Sequence, residues 1–600
     1  LLRITSDLAH SSTLFYEDNV AQEAFPQPTP ETLFATHKFL YESPLLLKDS
    51  LWSVQPRAAS GPYFLAAKHN HLLVAQALEV YPEIISSFRE KINSILYNSS
   101  PGSHPNFTEN ELRLLSVVEA FANQHYINAL SPHNEIKALA QDALSGVAFI
   151  NSQQDARRLL DKLKVPGNSN IVISKPLQNS ALRNDTVHYT EPFNVTTDLL
   201  VRHDFKDMPV FVIDPPGTVE VDDGMSVERI SDTVVKLHIH VADPSAIFGP
   251  ESETVPRAVV SSLYAPERIV SMLPESIASQ SSLNRPGCIA LTFSCDFDLT
   301  SGNISNVTIT DSVIRNIVAL NYDQADTLLD TTPQLALLRD VARSHQQFRQ
   351  SQGFIDLRIP RGRAYLDHAT GVVTEVVLDK LDLGSSRQFV SELMIIAGRI
   401  AAEIGAERGI YLPYRYHDGP KVPINLSPSA TLVEKFACLK HLGSAAIALE
   451  PHEHKAMGLT AYCKVTSPIR RYFDLLAHRQ LRNKDAYSLQ TLSEIIPQAF
   501  RYERYLKRLS QACNKFWIEK YLRQLPPGTG PITYTLHIID VIPGTLKQPL
   551  HFYVVHVQEV GANFTVNLHG NHPEIGQIVL AQLRPESVTE TSKPLQFQIK

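Results

Sequence analysis

The sequence predicts a multidomain α+β protein: a helical, winged-helix-like N-terminal region, a central α/β domain and a small C-terminal β-barrel. Three observations support this fold class. Helix-start signals and apolar residues at helical spacing dominate the first part of the chain. Strand-like and helical stretches then alternate between residues 209 and 525. Finally, the last ~70 residues contain five short apolar segments of strand length. A chain of 600 residues also exceeds what one core accommodates.

The N-terminal part divides into residues 1–130, a helical region, and residues 131–208. In the first region Thr108 and Glu111 form a capping box ahead of an apolar helical face. In the second, a helix opens at Ser131-Pro132, another opens at Ser152, and a strand-like stretch follows at 170–174. Helix, turn, helix and β wing is the order of a winged-helix module, which binds nucleic acid or protein. Plain helical packing is the alternative, because no basic stripe marks the second helix.

The central and C-terminal parts have clearer patterns. In 209–525, Val210–Ile213 is a short apolar strand, and Leu237, Ile239 and Val241 alternate with polar residues as in a half-buried strand. In 530–600 we predict strands at 532–538, 552–557, 564–568, 577–583 and 595–599. Five strands of this size are typical of an OB-type barrel, a fold that often binds single-stranded nucleic acid.

Composition sets weaker limits. The net charge of −7 argues mildly against nucleic acid, although a local basic channel is compatible with it. No apolar run reaches the ~18–20 residues of a membrane helix, so we expect a soluble chain without membrane association. Five dispersed cysteines without a C-x-x-C pair predict free thiols in a reducing compartment. The chain begins at Leu1 rather than Met, and we expect a processed N-terminus.

The strongest chemical signal is a group of four carboxylates within ten residues: Asp214, Glu220, Asp222 and Asp223. They follow an apolar strand, and a Pro-Pro-Gly turn separates the first from the others. Carboxylates this close repel one another unless a cation holds them. Their hard oxygens suit Mg²⁺ or Mn²⁺, and two such ions can clamp a phosphodiester during hydrolysis. A solvated acidic turn is the alternative.

Arg470 and Arg471 stand in a second motif, Thr-Ser-Pro-Ile-Arg-Arg-Tyr at 466–472. Ser467 is a good N-cap and Pro468 suits the first helical position, which would put both arginines in the first turn of a helix. Cations there oppose the helix dipole, and a bound phosphate would remove the conflict. We therefore predict that Arg471 is an RNA-binding residue. The alternative is an arginine pair bonded to carboxylates elsewhere.

Three further polar residues stand in apolar elements. Glu392 lies within an apolar helix, where an active-site role and a structural ion pair are equally compatible with the sequence. His238 and His240 share one face of a strand. That spacing suits metal ligands, but hydrogen-bonded core histidines are more common.

Three motifs between 209 and 525 resemble the catalytic domain of the ribonuclease II family: the acidic motif at 213–223, His-Ile-His-Val-Ala-Asp-Pro at 238–244, and the 466–472 motif. The resemblance implies processive 3′→5′ hydrolysis of single-stranded RNA to nucleoside 5′-monophosphates with divalent ions. It further implies that the terminal barrel is similar to an S1 domain. The site residues that it implies are metal ligands at Asp214, Glu220, Asp222 and Asp223, a phosphate-stabilising Arg470, an acidic Glu392 in the pocket, and base-stacking Tyr264 and Tyr322.

Three features depart from bacterial members of that family. Glu220 replaces an Asp, Lys464-Val465 replace His-Phe, and the N-terminal region is helical instead of built from cold-shock barrels. Together they resemble the mitochondrial exoribonucleases of fungi. This resemblance implies a mitochondrial location, RNA turnover and processing, and work either alone or with an RNA helicase in a degradosome. We expect a monomer.

Two other functions fit parts of the sequence. A catalytically inactive RNA-binding protein of the same fold would usually have lost an aspartate or Arg470, whereas all are present here. A metal-dependent phosphohydrolase acting on small substrates would use the carboxylates but leave the terminal barrel without a role.

Overall fold

The structure is a computed structural model that describes residues 15–16, 32, 46–48, 53–56, 62–97, 107–122, 133–146, 156, 159–160, 201–247, 260–367, 370, 372–379, 385–422, 424, 426, 430–524, 532–543, 551–570, 572–585 and 594–600. The chain forms two compact units. The first contains Leu1–Val187, Glu253–Val259 and Arg501–Leu509. The second contains His188–Ser252, Val260–Phe500 and Ser510–Lys600. The predicted domain boundaries near 130, 208 and 525 stay predictions.

Among the residues described between 15 and 146, the first unit contains a small sheet and three helices. The sheet has the order β1-β3-β2, with strands β1 (Phe15–Tyr16), β2 (Leu46–Lys48) and β3 (Ser53–Pro56). Its helices are α1 (Pro62–Tyr97), α2 (Glu109–Ala122) and α3 (His133–Ala143). The sequence predicted a helical region over residues 1–130 and no strand at these positions. Strands of two to four residues are too short for their periodicity to be recognised.

The predicted start of helix α2 is confirmed. The backbone N–H of Thr108 donates to Glu111 at 2.7 Å, and the N–H of Glu111 donates to the Thr108 hydroxyl at 3.3 Å. The core behind it is apolar and includes Phe88, Leu114 and Phe121. For the predicted winged helix, α3 corresponds to the first helix. The strand expected at 170–174, like most of the second helix, lies outside the described residues.

The second unit begins with the elements that hold the central sheet. In chain order these are β4 (His203–Asp204), β5 (Val210–Asp214), β6 (Asp223–Arg229), β7 (Val234–Ala242), β8 (Leu263–Ala265), β9 (Arg268–Val270), α4 (Glu275–Ser281), β10 (Cys288–Asp298), β11 (Ile304–Ile314), β12 (Ile317–Asn321), α5 (Tyr322–Leu328) and α6 (Pro333–Ser351). Seven strands form a mixed sheet in the order β12-β5-β6-β7-β10-β11-β4. Strands β8 and β9 form a separate hairpin.

The remaining elements cover the sheet and build the barrel. They are β13 (Gly362–Asp367), β14 (Val372–Leu378), α7 (Ser386–Glu407), β15 (Tyr414–Tyr416), α8 (Leu432–His441), β16 (Ala446–Ala448), α9 (Tyr472–Arg482), α10 (Leu489–Arg523), β17 (Thr533–Ile542), β18 (Phe552–Val557), β19 (Ala562–His569), β20 (Ile578–Leu583) and β21 (Leu595–Ile599). No helix in the described ranges combines the length and the apolar composition that a bilayer span requires.

Strand β7 differs from its prediction in one respect. It is buried on both faces instead of one. Leu237, Ile239 and Val241 belong to the main core, while His238 and His240 pack beneath the ring of Phe205, with ring centroids 5.2 and 4.8 Å away. Alternation of polar and apolar residues predicted an exposed second face, but short polar side chains on β10 and β6 satisfy the histidines inside the protein.

The predicted terminal barrel is present. Its five strands close in the order β17-β18-β19-β21-β20, and each overlaps a predicted segment. The barrel packs against β13 by close backbone approach, with the N–H of Gly362 donating to the carbonyl of Gly561 at 3.1 Å. A Cβ on Gly362 would lie 2.0 Å from the Val560 carbonyl oxygen, so only glycine fits there. Asn514 of α10 donates to the Gly362 carbonyl at 2.7 Å and completes the contact.

Candidate active site

The acidic residues lie where two central strands meet at one edge of the sheet. Asp214 ends β5, and Asp223 begins the antiparallel neighbour β6. Between them, Gly217 has a φ of +78° and closes the turn after two prolines. The Asp222 carbonyl accepts the N–H of Ala242 at 2.7 Å, which ties the motif to β7. The local strand–turn–strand therefore brings Asp214 and Asp223 to the same edge.

The charges of the three aspartates are incompletely balanced. Burial is the largest cause that raises the pKa of Asp223, and the negative charges of Asp214 and Asp222 act in the same direction. Together they bring this pKa to about 7. Burial also raises the pKa of Asp222 to about 6 and that of Asp214 above its ordinary value, although Arg470 lowers both in part. Three carboxylates beside one guanidinium leave an excess of negative charge at this edge.

Arg470 comes to the site from the distant 466–472 motif. Its Nε donates to Oδ2 of Asp222 at 2.8 Å, and the backbone N–H of Ile469 donates to Oδ1 at 3.0 Å. Asp222 is 2% exposed, whereas the Arg470 side chain is 40% exposed. Arg470 therefore binds the cluster through Nε while its side chain retains accessible surface.

Arg471 has a different environment. It bonds Asp474 through Nε at 3.0 Å and through a terminal nitrogen at 2.6 Å, and it donates to the Thr466 hydroxyl at 3.2 Å. Its bonds therefore match the alternative in which an arginine pairs with a carboxylate, and RNA binding by Arg471 stays a prediction.

The predicted helix start in this motif was wrong. Helix α9 begins at Tyr472 and is capped by Arg471, whose backbone is extended. Residues 467–471 form a turn, with the N–H of Arg471 bonded to the Ser467 carbonyl at 2.9 Å. The physical reason is tertiary, because Arg471 makes a β-bridge with Ser261 that requires an extended conformation.

Two tyrosines on different elements lie near the acidic residues. Strand β12 pairs in parallel with β5 so that Asn321 lies beside Asp214, and Tyr322 follows at the start of α5. Burial raises the pKa of Tyr322 to about 12, as do the charges of Asp223 and Asp214. On the β8–β9 hairpin, the Tyr264 hydroxyl donates to Glu220 at 2.6 Å.

Glu392 does not join this group through any contact in the described residues. It accepts two bonds from Arg349, at 2.7 and 2.6 Å, and one from His345 at 2.7 Å. Burial opposes its ionisation, but these donors outweigh burial and lower its pKa. The contacts thus correspond to the structural ion pair that the sequence left open, and the expected catalytic role for Glu392 gains no support.

His238 and His240 are likewise internal hydrogen-bonding residues. His240 contacts the hydroxyls of Ser226 at 2.6 Å and Thr292 at 2.8 Å, and His238 contacts Ser294 at 2.7 Å. Burial lowers the pKa of both imidazoles, to about 4 for His238. They are neutral core residues, the more common alternative for this spacing.

The donor set of the three aspartates fits a divalent cation. Hard carboxylate oxygens that repel one another are the ligands that Mg²⁺ and Mn²⁺ prefer. Within the described part of the chain, no three carboxylate, imidazole or thiol side chains converge closely enough to enclose a metal by themselves. Mg²⁺ sites on phosphate substrates use few carboxylates and complete their coordination with water and phosphate oxygens, so this arrangement is compatible with them.

Sequence reasoning missed one buried polar group. Asp243 is fully buried and pairs with Arg202 at 3.4 Å and Arg482 at 3.0 Å. Burial alone would raise its pKa, but the interactions with His478, whose Nδ1 lies 3.9 Å from Oδ1, and with the two arginines lower it well below the ordinary value. Its position in the 238–244 motif, directly after a buried strand and before a proline, was the available signal. The group joins β7 to α9, and so supports the segment that carries Arg470.

Comparison with known proteins agrees with this geometry. Residues 202–484 match the RNB domain. The chain is 27% identical to an uncharacterized ribonuclease of Synechocystis over 83% of this chain and 75% of that protein. It is 28% identical to the chloroplastic/mitochondrial ribonuclease II of Arabidopsis thaliana and 27% identical to the mitochondrial exoribonuclease II of Saccharomyces cerevisiae, covering 64% and 63% of this chain. It spans only 51% and 44% of those two relatives.

Solved structures show the same fold. The Dss1 exoribonuclease of Candida glabrata, an active-site mutant, has a TM-score of 0.69 at 19% identity, covering 97% of this chain and 79% of the other. The Mycoplasma genitalium RNase R bound to ribose-methylated single-stranded RNA has a TM-score of 0.55 at 19% identity, covering 68% and 73%. The matched domain, the named relatives and the three motifs agree, and this chain contains an RNB domain at residues 202–484.

Proposed function

We propose that this protein is a 3′→5′ exoribonuclease that hydrolyses single-stranded RNA processively to nucleoside 5′-monophosphates. One observation carries the proposal. Asp214, Asp222 and Asp223 lie together with Arg470 at one edge of the central sheet, inside the residues that match the RNB domain. Two chain segments about 250 residues apart meet here, and the remaining negative charge suits a cation-dependent reaction on a phosphodiester.

Asp214, Asp222 and Asp223 are the residues that would hold Mg²⁺ or Mn²⁺, in our proposal two ions. When bound, such ions supply neutralising charge and a water acidic enough to act as the nucleophile. The aspartates contribute orientation, because the strand ends and the Ile469 N–H hold their carboxylates in place. Of the four carboxylates predicted as ligands, Glu220 is the one whose contacts point elsewhere.

The other side chains act on the RNA itself. Arg470 has accessible surface beside Asp222, where its remaining N–H groups would donate to the oxygens of the last phosphate and offset charge that develops during hydrolysis. The exposed ring of Tyr264 offers a surface for the terminal base. Tyr322 is stacked against Arg387 at 4.1 Å and lies near Asp223 and Asp214, whose charges raise its pKa. The S1-like barrel would bind RNA upstream.

The test is a time course with 5′-labelled single-stranded RNA and Mg²⁺, run beside Asp223→Asn. We expect stepwise shortening from the 3′ end by the wild type alone, with nucleoside 5′-monophosphates as products. RNA that stays intact but still shifts on a native gel would contradict the proposal. That outcome would favour the inactive RNA-binding alternative.

We also propose that the protein works in mitochondrial RNA turnover and processing. Relatives in Arabidopsis thaliana, Saccharomyces cerevisiae and Schizosaccharomyces pombe carry a mitochondrial designation, whereas the Synechocystis relative is cyanobacterial. Action as a monomer, alone or beside an RNA helicase, belongs to this proposal. Cell fractionation of the tagged protein with matrix and cytosolic markers tests the location, and a purely cytosolic signal would contradict it.

A further inference from the structure

Glu220 faces the β8–β9 hairpin with both carboxylate oxygens. The Tyr264 hydroxyl donates to Oε2 at 2.6 Å, and the Ser262 hydroxyl donates to Oε1 at 3.5 Å. Glu220 therefore has partners of its own, unlike the three aspartates, which share Arg470.

The backbone of this hairpin is already fixed near the active site. The N–H of Ser262 donates to the Arg470 carbonyl at 2.9 Å, and the N–H of Tyr472 donates to the Val260 carbonyl at 3.0 Å. On the other side, the Ser510 hydroxyl of α10 donates to the Tyr264 carbonyl at 3.2 Å. What remains to be set is the direction of the Tyr264 ring, which is 43% exposed.

We propose that Glu220 is a positioning residue that holds the Tyr264 ring for stacking on the 3′-terminal base of RNA, and that it is not a metal ligand. The inference rests on the proposed function and departs from the role expected from the acidic motif. An aspartate is shorter by one C–C bond, about 1.5 Å, and would not span the 2.6 Å contact with the Tyr264 hydroxyl without a backbone shift. The extra methylene of Glu220 thus allows its carboxylate to reach the Tyr264 hydroxyl.

Two substitutions of Glu220 separate the roles. Glu220→Gln keeps an oxygen that accepts from Tyr264 but removes the negative charge, whereas Glu220→Leu removes both. A positioning residue is largely rescued by Gln, while a metal ligand is damaged by either change. Tyr264→Phe removes only the hydroxyl from an exposed ring, so its folding is not at risk and it leaves the carboxylate intact.

The first readout is stacking, measured without hydrolysis. Single-stranded RNA with 2-aminopurine as its 3′-terminal base is titrated into metal-free protein in EDTA. We expect quenching with the wild type and with Glu220→Gln. Glu220→Leu and Tyr264→Phe should each lose quenching and raise the Kd about three- to tenfold, as loss of one typical hydrogen bond predicts. Their double variant should be no worse than either one.

The second readout is Mn²⁺ affinity by isothermal titration calorimetry of the same proteins. We expect both Glu220 variants to stay within about twofold of the wild type, and Asp223→Asn to bind more than about tenfold more weakly. Loss of Mn²⁺ affinity in Glu220→Gln as large as in Asp223→Asn would overturn the inference. So would wild-type quenching in Tyr264→Phe, or no quenching in the wild type. If the wild type binds Mn²⁺ and quenches the probe as expected but leaves RNA intact, only the proposed function fails.

Discussion

Two carboxylate sites in the second unit, the single residue Glu392 and the three-aspartate cluster, differ in how their negative charge is balanced. Glu392 meets one arginine and one histidine, and its pKa is lowered despite burial. Asp214, Asp222 and Asp223 share one arginine, and the pKa of Asp223 is raised to about 7. Sequence alone treated both groups as candidates for catalysis. The comparison teaches that the balance of charge, and not burial of a carboxylate, separates the two sites, and an unbalanced negative charge is what a bound cation would neutralise.

Hydrolysis should show the largest difference between the two groups. We expect Asp223→Asn to lower the rate of RNA degradation at least about a thousandfold while RNA binding persists, because the substitution removes charge where the reaction needs it. Glu392→Gln should reduce activity only as far as it reduces the folded fraction. Initial rates on labelled RNA, normalised to folded protein by circular dichroism, measure both. A Glu392→Gln protein that is folded yet inactive would restore a catalytic role for Glu392.

For the free energy of unfolding we expect the opposite ranking, with the larger loss at Glu392. Glu392→Gln leaves Arg349 buried without its counter-charge, and breaking such a pair costs about 3–5 kcal/mol in unfolding free energy. The matched control is Glu403→Gln on the same helix α7, where the partner is Arg399 and the carboxylate is more exposed. We expect that control to cost less than about 1 kcal/mol. Urea denaturation measures the unfolding free energy of both variants. Equal losses in the two variants would contradict the difference between a buried and an exposed ion pair.

The pH dependence of stability should have opposite signs at the two groups. In metal-free protein the pKa of Asp223 rises from 3.8 unfolded to about 7 folded, so the folded state retains a proton and stability falls as pH rises across that window. Asp223→Asn should therefore be more stable than wild type by about 1–3 kcal/mol at pH 8 in EDTA. The gain should vanish near pH 4.

For Glu392 the lowered pKa predicts the opposite course. Its contribution to stability is present above the ordinary value of 4.5 and is lost as pH falls through the lower folded value. Denaturation between pH 3 and 8 measures both trends, since the penalty of Glu392→Gln should shrink on the acid side. A stabilising effect of Asp223→Asn that does not change with pH would contradict the electrostatic cause.

Added metal should give the smallest effect. At ten times its Kd, Mg²⁺ stabilises the folded protein by about 1.4 kcal/mol, a rise of a few degrees or less in Tm. We expect this increment in the wild type, and in Glu392→Gln measured from its own lower baseline, but not in Asp223→Asn. Thermal melts with and without Mg²⁺ provide the measurement. An equal rise in Asp223→Asn would place the cation elsewhere.

Prediction from sequence succeeded where local pattern and tertiary structure agree. The five barrel strands, strand β5 and the capping box of α2 follow from residue spacing and cap chemistry alone. It failed at the start of α9, where good local signals at Ser467 and Pro468 lost to a β-bridge between Arg471 and Ser261. It also missed the Asp243 group, because its three partners, Arg202, His478 and Arg482, lie outside the motif that contains Asp243.

The sequence by itself determined the resemblance to the ribonuclease II family, the five barrel strands and the cluster of Asp214, Asp222 and Asp223, because ten consecutive residues carry that cluster on one strand–turn–strand. Tertiary structure alone decided the partners. In the folded chain Arg470 bonds Asp222, Tyr264 donates to Glu220, and Arg349 donates to Glu392. The physical reason is that a charged side chain is stabilised by whichever opposite charge or donor folding brings within about 3 Å, and residues far apart in sequence supply it.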